Sequence, residues 1–371
     1  MSTTVGMLDP VSAAFEAATG LMAAGAPELA AKGLETFLET RPDAYLAWLS
    51  LGRARELQRD EFGSLAAYFQ AVTRAQQAGQ WLNESSTPQA LLGTVVHAIK
   101  RVKHGRRELL RRSYESVREA HGSEALKRVD RALAVYLREA HAEPPSEHQK
   151  PRLFYFPDLP PGPYHDANLH PWIETLKAGF ETLRDDALRV LSEDGHFENF
   201  IRFREGVPVE QYLGGEKPAW EAFFFWRHGK RYDEHHARCP ASSAVLESIE
   251  LCRVENEAPE ILFSVMTPGT EILPHHGVTN VRTVMHLPLV IPEGAYLTVH
   301  GGGDHHWKAG EPVNFDDTYL HSASNPTPYT RMILLMDCWN PHLTLPEKQA
   351  MKLVLETISG FRRAGEQYEK N

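Results

Sequence analysis

The residues best suited to chemistry lie in two segments, PHHGVTNVRTVMH at Pro274–His286 and FDDTYLH at Phe315–His321. Non-haem iron(II) oxygenases usually hold their metal with two histidines and one carboxylate, in the order His-x-Asp/Glu followed by a distant histidine. His275 and His321 supply two imidazoles far apart in sequence, but Gly277 stands where the carboxylate is expected. The pattern predicts a mononuclear iron site in which two neutral imidazoles leave room for a chelating 2-oxo acid.

One arginine lies downstream of the second histidine. Arg331 begins the apolar segment RMILLMD. From the start of such a strand, a guanidinium can reach into a barrel and bind the distal carboxylate of a dicarboxylate through two hydrogen bonds, which lysine does less well. The residues therefore predict a co-substrate pocket in the same cavity as the iron.

Composition narrows the class of protein. The chain has 371 residues, of which 42% are hydrophobic and 24% charged, enough for one large domain or, more readily, two. A net charge of −10 does not favour nucleic acid or an anionic membrane as a partner. We expect no secretory signal and no membrane span, because no basic leader and no window of about 18 apolar residues is present. Three cysteines without paired spacing fit a reducing, cytoplasmic compartment.

Residues 1–145 predict an all-α domain. Apolar residues recur three or four positions apart, which is typical of helices. Trp48, Leu51, Gly52, Tyr68 and Ala71 match the tetratricopeptide template, whose repeat is about 34 residues long. An unrelated helical bundle is the alternative interpretation.

The helix that follows these repeats is locally basic. Its basic residues are Lys100, Arg101, Lys103, Arg106, Arg107, Arg111 and Arg112. A solvated helix face explains them, and a docking patch for an acidic partner is the alternative.

Residues 146–371 predict a domain built mainly from short strands. The segments ILFSVM, VRTVMHLPLVI, AYLTVH, PVNF and RMILLMD are separated by Gly, Pro, Asn and Asp, without intervening helices. This favours an antiparallel double-stranded β-helix, the cupin-like jelly roll. The predicted fold class is therefore α + β and multidomain, with a tetratricopeptide-like helical domain before a jelly-roll domain.

The stretch from Ser264 to Pro341 resembles the aspartyl/asparaginyl β-hydroxylase family of 2-oxoglutarate-dependent oxygenases. The resemblance rests on FSVMTPGTEILPHHGVTN, MHLPLVIP, NFDDTYLHSASN and RMILLMDCWNPHL, and on W-x-x-G at Trp307–Gly310. This family is known for using two histidines, with glycine in place of the usual carboxylate. The resemblance therefore accounts for Gly277.

The resemblance implies roles for five residues. His275 and His321 would be the iron ligands. Arg331 would pair with the distal carboxylate of 2-oxoglutarate, and Ser264 would add a hydrogen bond to it. His286 would lie close to the carboxylate that chelates the iron.

A substrate-binding role follows from strand alternation. Arg282, Val284 and His286 share one face of a strand. If His286 points inward, Arg282 does too, and it becomes a candidate clamp for an acidic substrate group. Family members active on protein aspartate carry an arginine where this chain has Val284. The valine cannot bind an anion, so this difference bears on substrate identity.

Other polar clusters have structural explanations. Asp316 and Asp317 are predicted to cap a turn before His321 rather than to bind metal. His235, His236 and Cys239 lack a second pair of ligands at zinc-finger spacing.

The function implied by the resemblance is an Fe(II)/2-oxoglutarate-dependent dioxygenase that consumes O₂ and releases succinate and CO₂. Its substrate would be an Asp or Asn residue of a peptide or protein, which the helical domain could recruit. One alternative is an oxygenase or halogenase acting on a small molecule, since glycine leaves room for a halide. Another is a catalytically inactive scaffold. The joint retention of His275, His321, Arg331 and Ser264 argues against it.

Overall fold

The computed structural model describes residues 9–193, 197–200, 211–215 and 218–366. The chain divides into two compact units, a helical unit of Met1–Glu115 with Thr357–Asn371 and a β-rich unit of Ser116–Glu356. This division falls earlier than the boundary expected between residues 145 and 146. It also groups the C-terminal residues with the helical unit. Within the described ranges, no helix has the length and apolar character needed to span a bilayer.

The helical unit consists of antiparallel helix pairs and a longer helix. Its helices are α1 (Pro10–Ala23), α2 (Pro27–Thr40), α3 (Tyr45–Leu57), α4 (Glu61–Gln77) and α5 (Leu92–Ser113). The Asp9 side chain accepts hydrogen bonds from the first turn of α1, and the Asp60 side chain accepts one from the first turn of α4. The α1–α2 pair is repeated by α3–α4 after about 35 residues, close to the tetratricopeptide period.

The signature residues of the repeat have packing roles. Trp48, Leu51, Tyr68 and Ala71 are fully buried. A Cβ at Gly52 would lie 2.4 Å from Cδ1 of Tyr68, so only glycine lets α3 and α4 approach this closely. The paired helices agree with the prediction of an all-α unit, and membership of the tetratricopeptide family stays a prediction.

Several arginines of α5 have partners inside the helical unit. Arg101 pairs with Glu56 at 3.2 Å, and Arg112 pairs with Glu61 at 2.7 Å. The guanidinium of Arg106 lies 5.0 Å from the ring centre of Phe69. These contacts favour a solvated, internally paired helix face over a dedicated docking patch.

The β-rich unit contains short helices around two sheets. Its helices are α6 (Glu115–His121), α7 (Lys127–Tyr136), α8 (Ile173–Ala178), α9 (Phe180–Ser192), α10 (Asp233–Arg238), α11 (Pro240–Glu247) and α12 (Leu345–Glu366), which ends in the helical unit. The described strands are β1 (Tyr164–His165), β2 (Glu198–Asn199), β3 (Leu213–Gly214), β4 (Trp220–Arg227), β5 (Lys230–Arg231), β6 (Ile261–Met266), β7 (Thr270–His275), β8 (Arg282–Val290), β9 (Tyr296–Val299), β10 (Gly303–His306), β11 (Val313–Phe315), β12 (His321–Asn325) and β13 (Arg331–Trp339).

The two sheets are antiparallel throughout the described pairings. One has the order β1-β11-β8-β13-β6-β4-β2 with β5 beside β4, and the other has the order β10-β9-β12-β7-β3. The consecutive strands β6 to β13 divide equally between the sheets, which is the topology of a double-stranded β-helix. The prediction of a helical region followed by a jelly roll is therefore confirmed.

Strand alternation divides the large sheet into an outer and an inner face. Phe263, Met285 and Leu334 point outward and pack with residues of α8 and α9. Val284 and Phe315 belong to the cluster that fills the space between the two sheets. The inner face therefore carries the candidate site, and the outer face is covered by helices.

A histidine cluster lies beside β11, at one edge of the large sheet. Nε2 of His170 lies 2.6 Å from Nδ2 of Asn314, and the rings of His165 and His342 are 5.4 Å apart. Burial lowers the pKa of both His165 and His170 to about 4, and the positive charge of Lys348 further disfavours protonation of His170. Both rings are therefore neutral in the folded protein at neutral pH.

This cluster predicts a loss of stability in mild acid. An unfolded histidine binds a proton near its ordinary pKa of about 6.5, whereas these two bind one only near pH 4. Between those values the unfolded state holds more protons, so stability falls as pH falls. The double variant His165→Gln, His170→Gln should lose less thermal stability between about pH 7 and about pH 5, by about 2–4 °C for each kcal/mol recovered.

Thermal unfolding followed by circular dichroism at the two pH values makes the comparison. His141→Gln removes a largely exposed histidine and is the matched control. Its melting temperature should fall between the two pH values by as much as that of the wild type. An equal fall in the double variant would show that these two rings do not govern acid stability.

Candidate metal centre and co-substrate pocket

Strand register brings the two predicted metal ligands together. β7 ends at His275 and β12 begins at His321, and the two residues are direct partners in the antiparallel pairing. Their ring centres lie 4.1 Å apart. Two side chains that are remote in sequence are thus close enough to share one metal ion.

Each imidazole is held in the tautomer that a metal needs. Nδ1 of His275 lies 2.8 Å from the carbonyl oxygen of Leu273, and Nδ1 of His321 lies 2.9 Å from that of Tyr319. A carbonyl oxygen only accepts, so Nδ1 carries the proton and Nε2 keeps its lone pair. Burial lowers the pKa of His275, and it lowers the pKa of His321 to about 3, so both rings are neutral.

Gly277 is packed against a carboxyl group. A Cβ at this position would lie 2.1 Å from Cγ and from Oδ2 of Asp317. The backbone N–H of Gly277 also donates to the carbonyl oxygen of Asp317 at 2.7 Å. No side chain, and hence no carboxylate ligand, fits at position 277 while Asp317 is in place.

The two aspartates before His321 differ in role. Oδ1 of Asp316 accepts from the backbone N–H of Thr318 at 2.9 Å, and its Oδ2 accepts from Gln149 at 2.9 Å, so Asp316 caps the turn as predicted. Asp317 instead turns its carboxyl toward Gly277. Burial, and secondarily the neighbouring Asp316, raise the pKa of Asp317 well above its ordinary value. The sequence did not reveal this second position.

The described residues offer no richer metal site. No group of three or more His, Cys, Asp or Glu side chains among them is arranged to hold a metal ion. Nδ1 of His236 lies 2.6 Å from Oγ of Ser243, and Nδ1 of His235 lies 2.7 Å from the carbonyl oxygen of Phe224. These two histidines are structural, as expected. The arrangement fits an iron site with two protein ligands.

Arg331 is a buried cation on the inner face of the large sheet. Its side chain is 1% exposed, and its Nη1 donates to Oγ of Ser264 at 3.2 Å. Trp220 also donates to this hydroxyl, at 3.0 Å. No described carboxylate pairs with Arg331, and burial lowers the pKa of its guanidinium to about 9. A buried charge without a counter-ion is costly, so the site favours an anionic ligand.

His286 connects this cation to the imidazole pair. Its ring lies 5.1 Å from that of Phe315, which in turn lies 5.4 Å from that of His321. Burial, and secondarily the charge of Arg331, hold the pKa of His286 well below its ordinary value. Nδ1 of His286 and Nε of Arg331 are buried without a described hydrogen-bond partner. These open polar atoms fit a dicarboxylate that extends from Arg331 toward the metal ligands.

Arg282 lies on the same inner face but is already paired. Its Nη1 lies 2.8 Å from Oδ2 of Asp337 and 3.3 Å from the carbonyl oxygen of Glu257. Burial is the largest single influence and would lower the pKa of Arg282, but Asp337 and the other ionisable groups around it together outweigh burial and raise the pKa. This differs from the free guanidinium expected of a clamp, so substrate binding by Arg282 stays a prediction and requires Asp337 to share its partner.

The segment of residues 150–156, which precedes β1, is hydrogen-bonded to both loops that carry the predicted metal ligands. The backbone N–H of Lys150 donates to the carbonyl oxygen of Thr318 at 2.8 Å, and that of Arg152 donates to Gly277 at 3.1 Å. Asn280 exchanges two side-chain hydrogen bonds with the backbone of Phe156, at 2.7 and 2.8 Å. The segment therefore holds His275 and His321 at fixed positions, although its sequence showed only an aromatic, turn-rich stretch.

A comparison with protein-family models finds a match within the β-rich unit. The model of the Aspartyl/Asparaginyl beta-hydroxylase family matches residues 177–341. The chain is similar to this family over that segment. The matched segment contains His275, Gly277, His321, Arg331 and Ser264, and it lies outside the helical repeats.

Curated relatives show the same likeness. Aspartate beta-hydroxylase domain-containing protein 2 of Homo sapiens is 31% identical over 211 residues, which cover 56% of this chain and 55% of that protein. Aspartyl/asparaginyl beta-hydroxylase of Mus musculus is 28% identical over 186 residues, 49% of this chain and 23% of that protein. The chain thus spans about half the length of the first relative and less than a quarter of the second.

A solved prolyl-4-hydroxylase from Pseudomonas putida is also similar, with 15% sequence identity and a TM-score of 0.26. The match covers 44% of this chain and 85% of that one. At this score the likeness carries no argument, and the jelly-roll assignment rests on the strand order.

The imidazole pair predicts a metal-binding phenotype. His275→Ala and His321→Ala should each weaken Fe(II) affinity by more than about 100-fold, because losing groups that merely orient ligands costs about 10–100-fold. Anaerobic calorimetric titration with Fe(II) measures this. His276→Gln is the matched control, since Nδ1 of His276 lies 2.9 Å from the carbonyl oxygen of Thr318, and it should bind Fe(II) like the wild type. Wild-type affinity in both alanine variants would refute the site.

The packing of Gly277 predicts an energetic coupling. Gly277→Ala should lower the free energy of unfolding by about 1–3 kcal/mol, because its Cβ overlaps the carboxyl of Asp317. Removing that carboxyl with Asp317→Ala should relieve most of the loss, which a double-mutant cycle in urea would show. Gly93→Ala adds a Cβ to open space on α5 and should not destabilise. Strictly additive losses would contradict the contact.

Proposed function

We propose that this protein is an Fe(II)/2-oxoglutarate-dependent dioxygenase that hydroxylates an Asp- or Asn-type residue of a peptide or protein, with release of succinate and CO₂. The observation that carries the proposal is the placement, between the two sheets, of two neutral imidazoles on the small sheet and a buried arginine without a described carboxylate partner on the large sheet. The match of residues 177–341 to the Aspartyl/Asparaginyl beta-hydroxylase model supports hydroxylation as the reaction class.

Each residue of the site has a defined task in this proposal. His275 and His321 would hold the iron through Nε2, and the bound metal would supply the activation of O₂. Arg331 and Ser264 would bind the distal carboxylate of 2-oxoglutarate, and His286 would contact the carboxylate nearer the metal. The dicarboxylate would give Arg331 the counter-charge that the described protein residues do not.

The apolar lining of the cavity serves the same chemistry. Val284, Leu297 and Phe315 belong to the inner cluster and are at most 8% exposed. Such a lining excludes water, which strengthens the electrostatic contacts of the co-substrate and limits unproductive oxidation. In this proposal the protein positions the metal and the co-substrate, stabilises their charges and excludes water from the cavity.

The inner face of the large sheet favours an uncharged target side chain. Val284 offers no hydrogen bond, and Arg282 is engaged by Asp337. With Arg331 assigned to the co-substrate, none of these three positions leaves an unpaired arginine for a substrate carboxylate. An amide needs no counter-charge, so an asparaginyl-type residue fits this wall better than an aspartyl one.

The alternatives receive less support. A halide beside Gly277 would meet the carboxyl of Asp317, which already fills that space. An inactive scaffold has no use for buried polar atoms left open on Arg331 and His286, which cost stability.

Recruitment of a polypeptide and a reducing compartment are further parts of the proposal. The helical unit exposes Leu29 and Phe62, apolar side chains that would suit contact with an extended polypeptide. The three cysteines are free and buried, as expected of a protein that works in the cytoplasm.

Co-substrate turnover tests the function directly. We expect purified protein with Fe(II), O₂ and 2-oxoglutarate to form succinate, and an Asn-containing peptide library to gain one oxygen atom more readily than its Asp counterpart. Arg331→Ala should raise the half-saturating 2-oxoglutarate concentration at least about 30-fold, since truncating one member of a buried charge pair costs at least about 2 kcal/mol.

Mass spectrometry of the peptides and NMR detection of succinate provide the measurements. His276→Gln serves as the matched control and should turn over like the wild type. Absence of both 2-oxoglutarate binding and succinate formation in the wild type would overturn the proposal, and a clear preference for the Asp library would overturn its substrate part.

A further inference from the structure

The indole of Trp307 has an unpaired hydrogen-bond donor on the inner wall. Trp307 is 4% exposed, and its Nε1 is buried without a partner among the described residues. The indole N–H of Trp48 donates to the carbonyl oxygen of Pro42 at 2.9 Å, and that of Trp220 donates to Ser264 at 3.0 Å. Buried donors are normally satisfied, so an open one on a cavity wall points to a ligand.

Trp307 lies against the two other residues with open polar atoms. The guanidinium carbon of Arg331 lies 4.7 Å from the indole ring centre, and the ring of His286 lies 5.8 Å from it. Nε of Arg331 and Nδ1 of His286 are also buried and unpaired. Three separate parts of the chain, β8, β13 and the residue after β10, thus bring unpaired polar atoms to one place.

The W-x-x-G spacing explains how Trp307 is held there. Gly310 has a φ of +80°, a conformation that side chains rarely adopt. This turn lets the backbone N–H of Gly310 donate to the carbonyl oxygen of Pro288 at 2.9 Å. Pro288 lies two residues after His286 on β8, so the turn fixes the indole over the strand that carries His286.

We propose that the indole N–H of Trp307 donates a hydrogen bond to the distal carboxylate of the dicarboxylate co-substrate, while the face of the same indole holds the guanidinium of Arg331. This inference rests on the proposed use of 2-oxoglutarate. Trp307 is then a third donor to that carboxylate, beside Arg331 and Ser264, and it also restricts Arg331 through a cation–π contact.

The test separates the N–H group from the ring. Trp307→Phe keeps an aromatic face for Arg331 but removes the donor. We expect the dissociation constant for 2-oxoglutarate, measured by anaerobic calorimetry on Fe(II)-loaded protein, to rise roughly 10- to 100-fold, as for loss of a hydrogen bond to a charged group. Trp172→Phe is the matched control, because Trp172 packs in the outer cluster, and it should bind 2-oxoglutarate like the wild type.

A second ligand identifies the carboxylate. 2-Oxobutanoate has the 2-oxo acid group but no distal carboxylate, so its affinity should be the same for wild type and Trp307→Phe. An equal loss for both ligands would overturn contact with the distal carboxylate. Unchanged affinity of Trp307→Phe for 2-oxoglutarate would overturn the proposal as a whole, whereas a wild type that does not bind 2-oxoglutarate would overturn the function on which it rests.

A measurement on the wild type covers the case in which Trp307→Phe does not fold. In ¹⁵N-labelled protein, the indole N–H resonance of Trp307 is identified by its nuclear Overhauser contacts with His286. This resonance should shift downfield when 2-oxoglutarate is added, and that of Trp172 should not. A stationary Trp307 resonance at saturating 2-oxoglutarate would overturn the proposal.

Discussion

The direct pairing of His275 with His321 is the constraint on which the site depends. Because the two residues are partners in one antiparallel ladder, a shift of either strand by one residue would turn one imidazole to the opposite face of the sheet. The backbone carbonyls of Leu273 and Tyr319 then fix both tautomers from within the same two chain segments. The geometry of the candidate metal site is therefore set by strand register, and the segment that donates to the carbonyl oxygens of Gly277 and Thr318 stabilises that register.

Two buried arginines on the inner face differ in whether a described carboxylate supplies their counter-charge, and this difference suggests different roles. Arg282 has its counter-charge inside the protein, in Asp337, and removing either partner would leave an isolated buried charge. Arg331 has hydrogen bonds to Ser264 but no described carboxylate, so its charge remains open to a ligand. An anion that enters the cavity therefore gains more electrostatic binding free energy from Arg331 than from Arg282. The same asymmetry leaves the inner face around Val284 without a strong anion-binding group.

Local patterns sufficed for the fold class, and they predicted which residues form the candidate site. Period-two alternation placed Arg282, Val284 and His286 on one face, and the glycine after His275 was informative because that residue type is the wrong one for a ligand. What the sequence did not indicate depended on contacts between segments remote in sequence. Nothing near Arg282 in the chain indicates Asp337, and nothing near Gly277 indicates that Asp317, rather than Asp316, would fill its space. The return of the C-terminal residues to the helical unit is another such contact, invisible to composition.

Gly277 also shows why the missing carboxylate is a built feature of the site. A simple loss of the ligand would leave a void or a solvent-filled gap beside the metal position, and the backbone there would tolerate a side chain. Instead the gap is filled by Asp317, whose backbone carbonyl accepts from Gly277 and whose carboxyl would overlap any Cβ at that position. Restoring the usual ligand by mutation of Gly277 alone would thus require the carboxyl group of Asp317 to move. The two-histidine arrangement is therefore maintained by packing as well as by the identity of the residue at position 277.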